Sequence, residues 1–186
     1  MSADDILFDV EERMVKALDV LKHNLSGIRT GRANPGLVDS VRVDVYGSAV
    51  PIKTVASVGA PEPTQIVIRP FDPGTIKDIE KGILAAGLGF NPQNDGRVIR
   101  ISIPPLSGEV RRKMVARIKE LGEDAKVAIR NVRRDGNKAA EVAEKDKKMT
   151  EDELKSAKEE VQELTKKFEN KVGDLTRAKE TEVMED

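Results

Sequence analysis

Cysteine and tryptophan are absent from this 186-residue sequence, histidine and tyrosine occur once each, and phenylalanine only four times. Without cysteine there is no disulfide framework, thiolate metal site or cysteine nucleophile, and His23 alone supplies neither a histidine zinc site nor a Ser-His-Asp triad. No phosphate loop of the GxxxxGK[ST] type, no GxGxxG after a strand, no HExxH and no GxSxG occurs. The paired acids, such as Asp4/Asp5, Glu11/Glu12 and Glu159/Glu160, fall on polar helix faces or first turns and read as solvated. No catalytic residue, metal site or cofactor is therefore expected, and the chain reads as a non-enzyme. No apolar run approaches the roughly 18 residues of a membrane span, and Met1–Val10 carries acids where a leader would carry bases, so a cytoplasmic protein without membrane contact is expected.

The sequence is instead rich in charge, at 35% Asp, Glu, Lys and Arg, so any core must be aliphatic and the helices long and amphipathic. The net charge of −1 conceals a sorting along the chain. Residues 107–148 hold 13 Lys/Arg against 8 Asp/Glu, whereas 149–186 hold 7 against 12. A basic stretch precedes an acidic one, which fits either two helices of opposite charge lying together or an anionic partner for the basic stretch.

Leu7, Val10, Met14, Ala17, Leu21, Leu25 and Ile28 recur at steps of three or four and predict a helix from about Ala3 to Thr30, capped by Ser2 and closed at Gly31. All nine prolines then lie between Pro35 and Pro105, among short β-branched runs at 41–45, 54–58, 65–68 and 98–103. Between these runs Pro73 opens a short helix to about Ala86, with Ile76, Ile79, Ile83 and Leu84 on its apolar side. A helical stripe resumes after Ser107 through Val110, Met114, Ile118, Leu121, Ala125, Ala128 and Val132 and ends near Val142. Thr150 and Glu153 form a capping box for a last helix whose stripe is Leu154, Ala157, Val161, Leu164, Phe168, Val172, Leu175 and Ala178, with Met149 and Leu154 placed as a staple.

Three such helices pack best as a long antiparallel bundle, and the proline-rich segment is a small β/α/β domain inserted into it. The expected fold class is α+β, with residues 1–30 and 106–186 as the bundle and 31–105 as the insert. The chain leaves and re-enters the bundle at 31–36 and 103–107, so Gly31, Arg32, Pro104 and Pro105 are expected to form a hinge in an elongated, bent molecule.

The residues that point to a function are arginines. Lys126, Arg130, Arg133, Arg134 and Asn137 fall at spacings of three, four and seven, with Val127 and Val132 expected on an opposite apolar side and Arg111, Arg112 and Arg117 extending the strip backward. Guanidinium forks hold phosphate oxygens bidentately at any cellular pH, and the scarcity of aromatics disfavours base stacking, which leaves phosphate and shape recognition of a folded RNA. The competing reading is a helical scaffold or adaptor that binds protein partners, with the basic and acidic helices merely paired.

The strings Ile28-Arg29-Thr30-Gly31-Arg32-Ala33-Asn34-Pro35, Val45-Tyr46-Gly47, Gly87-Leu88-Gly89-Phe90-Asn91-Pro92, Ile103-Pro104-Pro105-Leu106 and 127–135 (VAIRNVRRD) resemble, in order and across the whole chain, the bacterial ribosome recycling factor family. The resemblance implies an L-shaped, transfer-RNA-like molecule that dissociates the post-termination ribosome into subunits together with elongation factor G. GTP would be used by that partner and no cofactor by this chain. It implies that Arg29, Arg111, Arg130 and Arg133 contact large-subunit ribosomal RNA, Gly108 and Val110 departing from the family pattern beside Arg111. A monomer is expected.

Overall fold

The computed structural model describes residues 1–185, which form five helices and six strands in the order α1 (Ala3–Ser26), β1 (Arg42–Val45), β2 (Ser48–Pro51), α2 (Ile52–Val55), β3 (Ala56–Glu62), β4 (Gln65–Pro70), α3 (Ile76–Ala85), β5 (Pro92–Asn94), β6 (Ile99–Ser102), α4 (Gly108–Lys145) and α5 (Glu151–Met184). Single 3₁₀ turns at Pro35–Val38 and Pro73–Thr75 precede β1 and α3. The chain separates into two compact units, one of Met1–Leu25 with Val115–Thr181 and one of Ser26–Met114 with the residues from Glu182 onward.

The first unit is a three-helix bundle. Arg13 on α1 bonds Asp135 on α4 at 2.6 Å, while Arg130 and Glu141 on α4 reach Glu169 and Lys158 on α5 at 3.1 and 2.6 Å. Rising numbers on α4 meet falling numbers on α5, and residues 17–24 of α1 line one groove with residues 121–128 of α4 while Arg13 meets Asp135, so α4 runs antiparallel to both α1 and α5. The three helices converge at Gly136, where an added Cβ would stand 2.5 Å from Val10 and 3.7 Å from Val161. The buried seam comprises Val10, Met14, Leu18 and Leu21 of α1, Ile118, Ala125, Ile129 and Val132 of α4, and Val161, Phe168 and Val172 of α5.

The helix ends obey local chemistry. Ser2 accepts from the Asp5 amide at 3.2 Å and Asp5 accepts from the Ser2 nitrogen at 2.8 Å. Thr150 and Glu153 bond reciprocally, at 2.7 Å from the Thr150 amide and 3.2 Å back to its hydroxyl, and Met149 is buried beside them.

Several expectations need correction. The helix α1 stops at Ser26, not Thr30, because Ser26 and Gly27 are poor helix formers; Gly31 does take positive φ, at 77°, but beyond the helix. Ile6, Leu18, Ile129 and Thr165 are buried where their neighbours Leu7, Ala17, Ala128 and Leu164 were expected, and Ala178 is exposed while Lys179 is buried. Leu84 is exposed although Ile76, Ile79 and Ile83 are not.

The second unit holds two antiparallel sheets, β1-β2 and β3-β4-β6-β5. The β1-β2 hairpin turns through Tyr46 and Gly47, both at positive φ, which the right-handed strand twist demands of a two-residue turn. Ile66 and Ile68 on β4 face Ile101 and Ile99 on β6, and these four join Ile76, Ile79 and Ile83 of α3 in an aliphatic core. Thr54 and Val55, expected to begin a strand, instead end the single helical turn α2 before β3, while β2 and β5 lack the β-branched alternation that would have announced them.

Candidate nucleic-acid interface

Ser107 caps α4 by accepting from the Val110 amide at 3.3 Å, and the helix then runs 38 residues with one side in the bundle seam. At about 100° per residue, Lys126, Arg130, Arg133 and Asn137 share an arc of roughly 60° and a length of roughly 16 Å. All four are half-buried and Arg134, beside them, is exposed. The strip therefore exists and borders α5.

Its members have different surroundings. Arg130 donates from Nε to Glu169 at 3.1 Å and from Nη1 to Glu123 at 3.3 Å, and the Glu169 bond in particular raises its pKa above the ordinary guanidinium value. Lys126, Arg133 and Arg134 make no ion pair or side-chain hydrogen bond among the described residues, so their donors stay available to an outside acceptor. The Asn137 carbonyl oxygen is buried without a hydrogen-bond partner. The basic and acidic helices do pair, as one reading expected, but at Arg130 and not at Arg133.

Two expected features of the strip are absent. Arg117 lies nine residues before Lys126, about half a turn around α4, and pairs with Glu120 at 2.7 Å, so it does not extend the strip. Val127 is 45% exposed and forms no apolar back to it, because the seam of α4 passes through Ile129 and Val132.

Arg29 and Arg111 belong to the other unit. The Arg29 guanidinium stands 5.5 Å over the Phe90 ring, and its Nε is buried with no partner. Phe90, itself buried, is brought under it by a chain that turns at Gly87 and Gly89, both at positive φ. Phe90 has no expected role from the sequence, although an aromatic directly after two closely spaced glycines is the kind of signal that marks a fixed turn. Arg111 donates to the Met184 carbonyl at 3.4 Å, and Arg112 is exposed. Of the four residues expected as a hinge, Gly31 takes a φ of 77° with its Cβ position 3.6 Å from Leu106, Arg32 pairs with Glu185 at 3.6 Å, and Pro104 and Pro105 are exposed between buried Ile103 and Leu106.

No group of three or more His, Cys, Asp or Glu among the described residues could hold a metal ion, and no helix among them is long and apolar enough to cross a membrane. The arrangement offers guanidinium donors and a stacked arginine.

Comparison with known proteins gives this geometry a context. The family model described as ribosome recycling factor matches residues 21–184. The ribosome-recycling factor of Rhodopirellula baltica is 71% identical over 140 residues, which is 75% of each chain. That of Symbiobacterium thermophilum is 50% identical over 181 residues, covering 97% of this chain and 98% of the relative. Among solved structures, a solution structure of the ribosome recycling factor superposes with a TM-score of 0.78 at 40% identity, covering 99% of this chain and 98% of the other. A second, described as models for the T. thermophilus ribosome recycling factor and the E. coli elongation factor G bound to the E. coli post-termination complex, gives a TM-score of 0.71 at 39% identity over all of both chains.

Proposed function

Because the chain belongs to the ribosome recycling factor family, we propose that it acts with elongation factor G and GTP to split the post-termination ribosome into subunits. The observation that carries this reading is family similarity along nearly the whole chain, in a protein whose relatives are translation factors and not enzymes. GTP is bound and hydrolysed by the partner, and this chain acts through its shape and its donors as a cytoplasmic monomer.

Arg133 is the central contact to large-subunit ribosomal RNA, with Arg29, Arg111 and Arg130 as further contacts. What supports this is chemistry. Arg133 is held on a long helix with no internal carboxylate to compete for it, and Arg29 is pinned on Phe90 with an unused N–H. In this reading 31–105 moves on the crossings Gly31-Arg32 and Pro104-Pro105 when the partner pushes it, while 1–30 and 106–186 carry these arginines, and the movement must release Phe90 from Arg29.

Light scattering of post-termination ribosomes mixed with elongation factor G, GTP and either the parent or Arg133→Ala tests the proposal. A fast fall in scattering with the parent and little with the variant supports function and assignment together. Equal falls would remove Arg133 from its role, and no fall with the parent beside an active control factor would overturn the function. Replacing Pro104 and Pro105 by glycine should preserve ribosome pelleting and slow splitting; equal loss of both would reduce the crossing to a structural part.

A further inference from the structure

The arginine strip occupies one flank of the bundle, and a surface of opposite character occupies another. Between α1 and α5, which run parallel here, lies a groove of about 610 Å³. Leu7 and Leu164 form its half-buried floor, and Phe8 stands over it at 71% exposure. Two of the four phenylalanines, Phe8 and Phe71, are exposed, and Phe8 is the one that stands over an apolar floor in this groove.

The walls are predominantly acidic. Asp4 and Glu11 line the α1 side and Glu160 and Glu163 the α5 side; Lys167 is drawn to Glu11 at 3.7 Å and Lys166 to Glu163 at 3.3 Å, which leaves an excess of carboxylates along the groove. Such walls repel RNA and anionic lipid headgroups. No buried, unpartnered polar atom lies among these residues to orient a small ligand. The groove is also separate from the strip: Glu169, which holds Arg130, lies nine residues and therefore about half a turn from Glu160 on α5.

We propose that this groove docks a basic amphipathic segment of a protein partner. Asp4 to Glu11 spans roughly 10 Å, so the segment would be two to three helical turns, its apolar edge laid over Phe8 and Leu164 and its lysines or arginines between the two rows of carboxylates. The inference does not depend on the ribosomal reading, since it rests on a different face and on opposite charge.

The experiment uses the full chain and a fluorescein-labelled synthetic 14-residue peptide with leucine at helical spacing and lysine elsewhere, titrated by anisotropy. A peptide of the same composition in scrambled order and a striped peptide with glutamate for lysine serve as comparisons. The striped basic peptide should bind, and amide shifts in the ¹⁵N spectrum should cluster at residues 4–11 and 160–167. Phe8→Ala should weaken it roughly tenfold and Glu160→Lys with Glu163→Lys further, while Glu144→Lys leaves it unchanged, all variants retaining the parent's circular dichroism. Equal binding of the scrambled peptide, indifference to Phe8→Ala, or shifts mapping elsewhere would overturn the proposal. So would self-association in sedimentation that Phe8→Ala abolishes, because the occupant would then be a second copy of the chain.

Discussion

Arg130 and Glu169 meet across the α4–α5 interface at 3.1 Å, with Glu123 taking a second guanidinium nitrogen at 3.3 Å. One arginine of the cationic strip is thus answered inside the protein, and Arg133, three residues on, is not. Any RNA phosphate must compete with two carboxylates at the first and with none at the second. Arg133→Ala is therefore expected to weaken large-subunit binding more than Arg130→Ala, and Glu169→Gln to strengthen it by freeing Arg130. Filter or pelleting assays on the three variants check the order; a Glu169→Gln variant that binds less tightly would show that the pair positions Arg130 for the RNA.

The same pair sets the salt response. Each arginine-phosphate contact contributes roughly 0.7 to 0.9 decades of affinity per decade of salt. Four contacts predict a weakening on the order of 100-fold for a fourfold rise in salt, whereas three, with Arg130 kept by Glu169, predict roughly 30-fold. Pelleting across a salt series separates the two, and a flat response would remove the strip from binding altogether.

Two glycines of α4 should respond differently to alanine. At Gly136 the new Cβ would stand 2.5 Å from Val10, a stiff β-branched side chain with no exposure, and the gain of about 1 kcal/mol in helix propensity does not offset the overpacking. A net loss of about 1–2 kcal/mol in urea unfolding is expected. At Gly122 the clash at 2.6 Å is with the methyl of Thr176, which can rotate at the cost of its hydrogen bond to the Gly173 carbonyl, so Gly122→Ala should be near neutral.

The capping box of α5 carries a pH signature. The Thr150 amide, and after it the Thr150 hydroxyl, hold the Glu153 carboxyl below its ordinary value of 4.5. A lowered folded pKa contributes stability above the ordinary value and loses it as the pH falls toward the folded one. Glu153→Gln should therefore melt below the parent at neutral pH, with the gap closing as the pH drops below 4.5. Thermal melts of both chains from pH 7 to pH 3 check this, and a gap independent of pH would assign the stabilisation to geometry alone.

What could be read from the residues beforehand was whatever is decided within a few positions. Ser2 with Asp5 and Thr150 with Glu153 cap as their spacing demands, because both partners lie in one turn. The seam was displaced by one residue at Ile6, Leu18, Ile129 and Thr165, because adjacent positions can both face a seam shared by three helices and the choice between them belongs to the partner helices. The short β5, Pro92-Gln93-Asn94, exists because β6 lies beside it, not through any preference of its own. For the strip, the positions of Arg130 and Arg133 follow from helical spacing. The partner that distinguishes them, Glu169, is 39 residues away from Arg130 and could not be named without the fold.

The four-stranded sheet ends on β3, which contains Gly59 and Pro61, and on β5, which is three residues long and begins with Pro92. A proline has no amide hydrogen to give, and three residues offer too short a ladder for a foreign strand. The borders of the sheet thus refuse extension. An antiparallel sheet with such edges is guarded, at both margins, against polymerising through its own backbone.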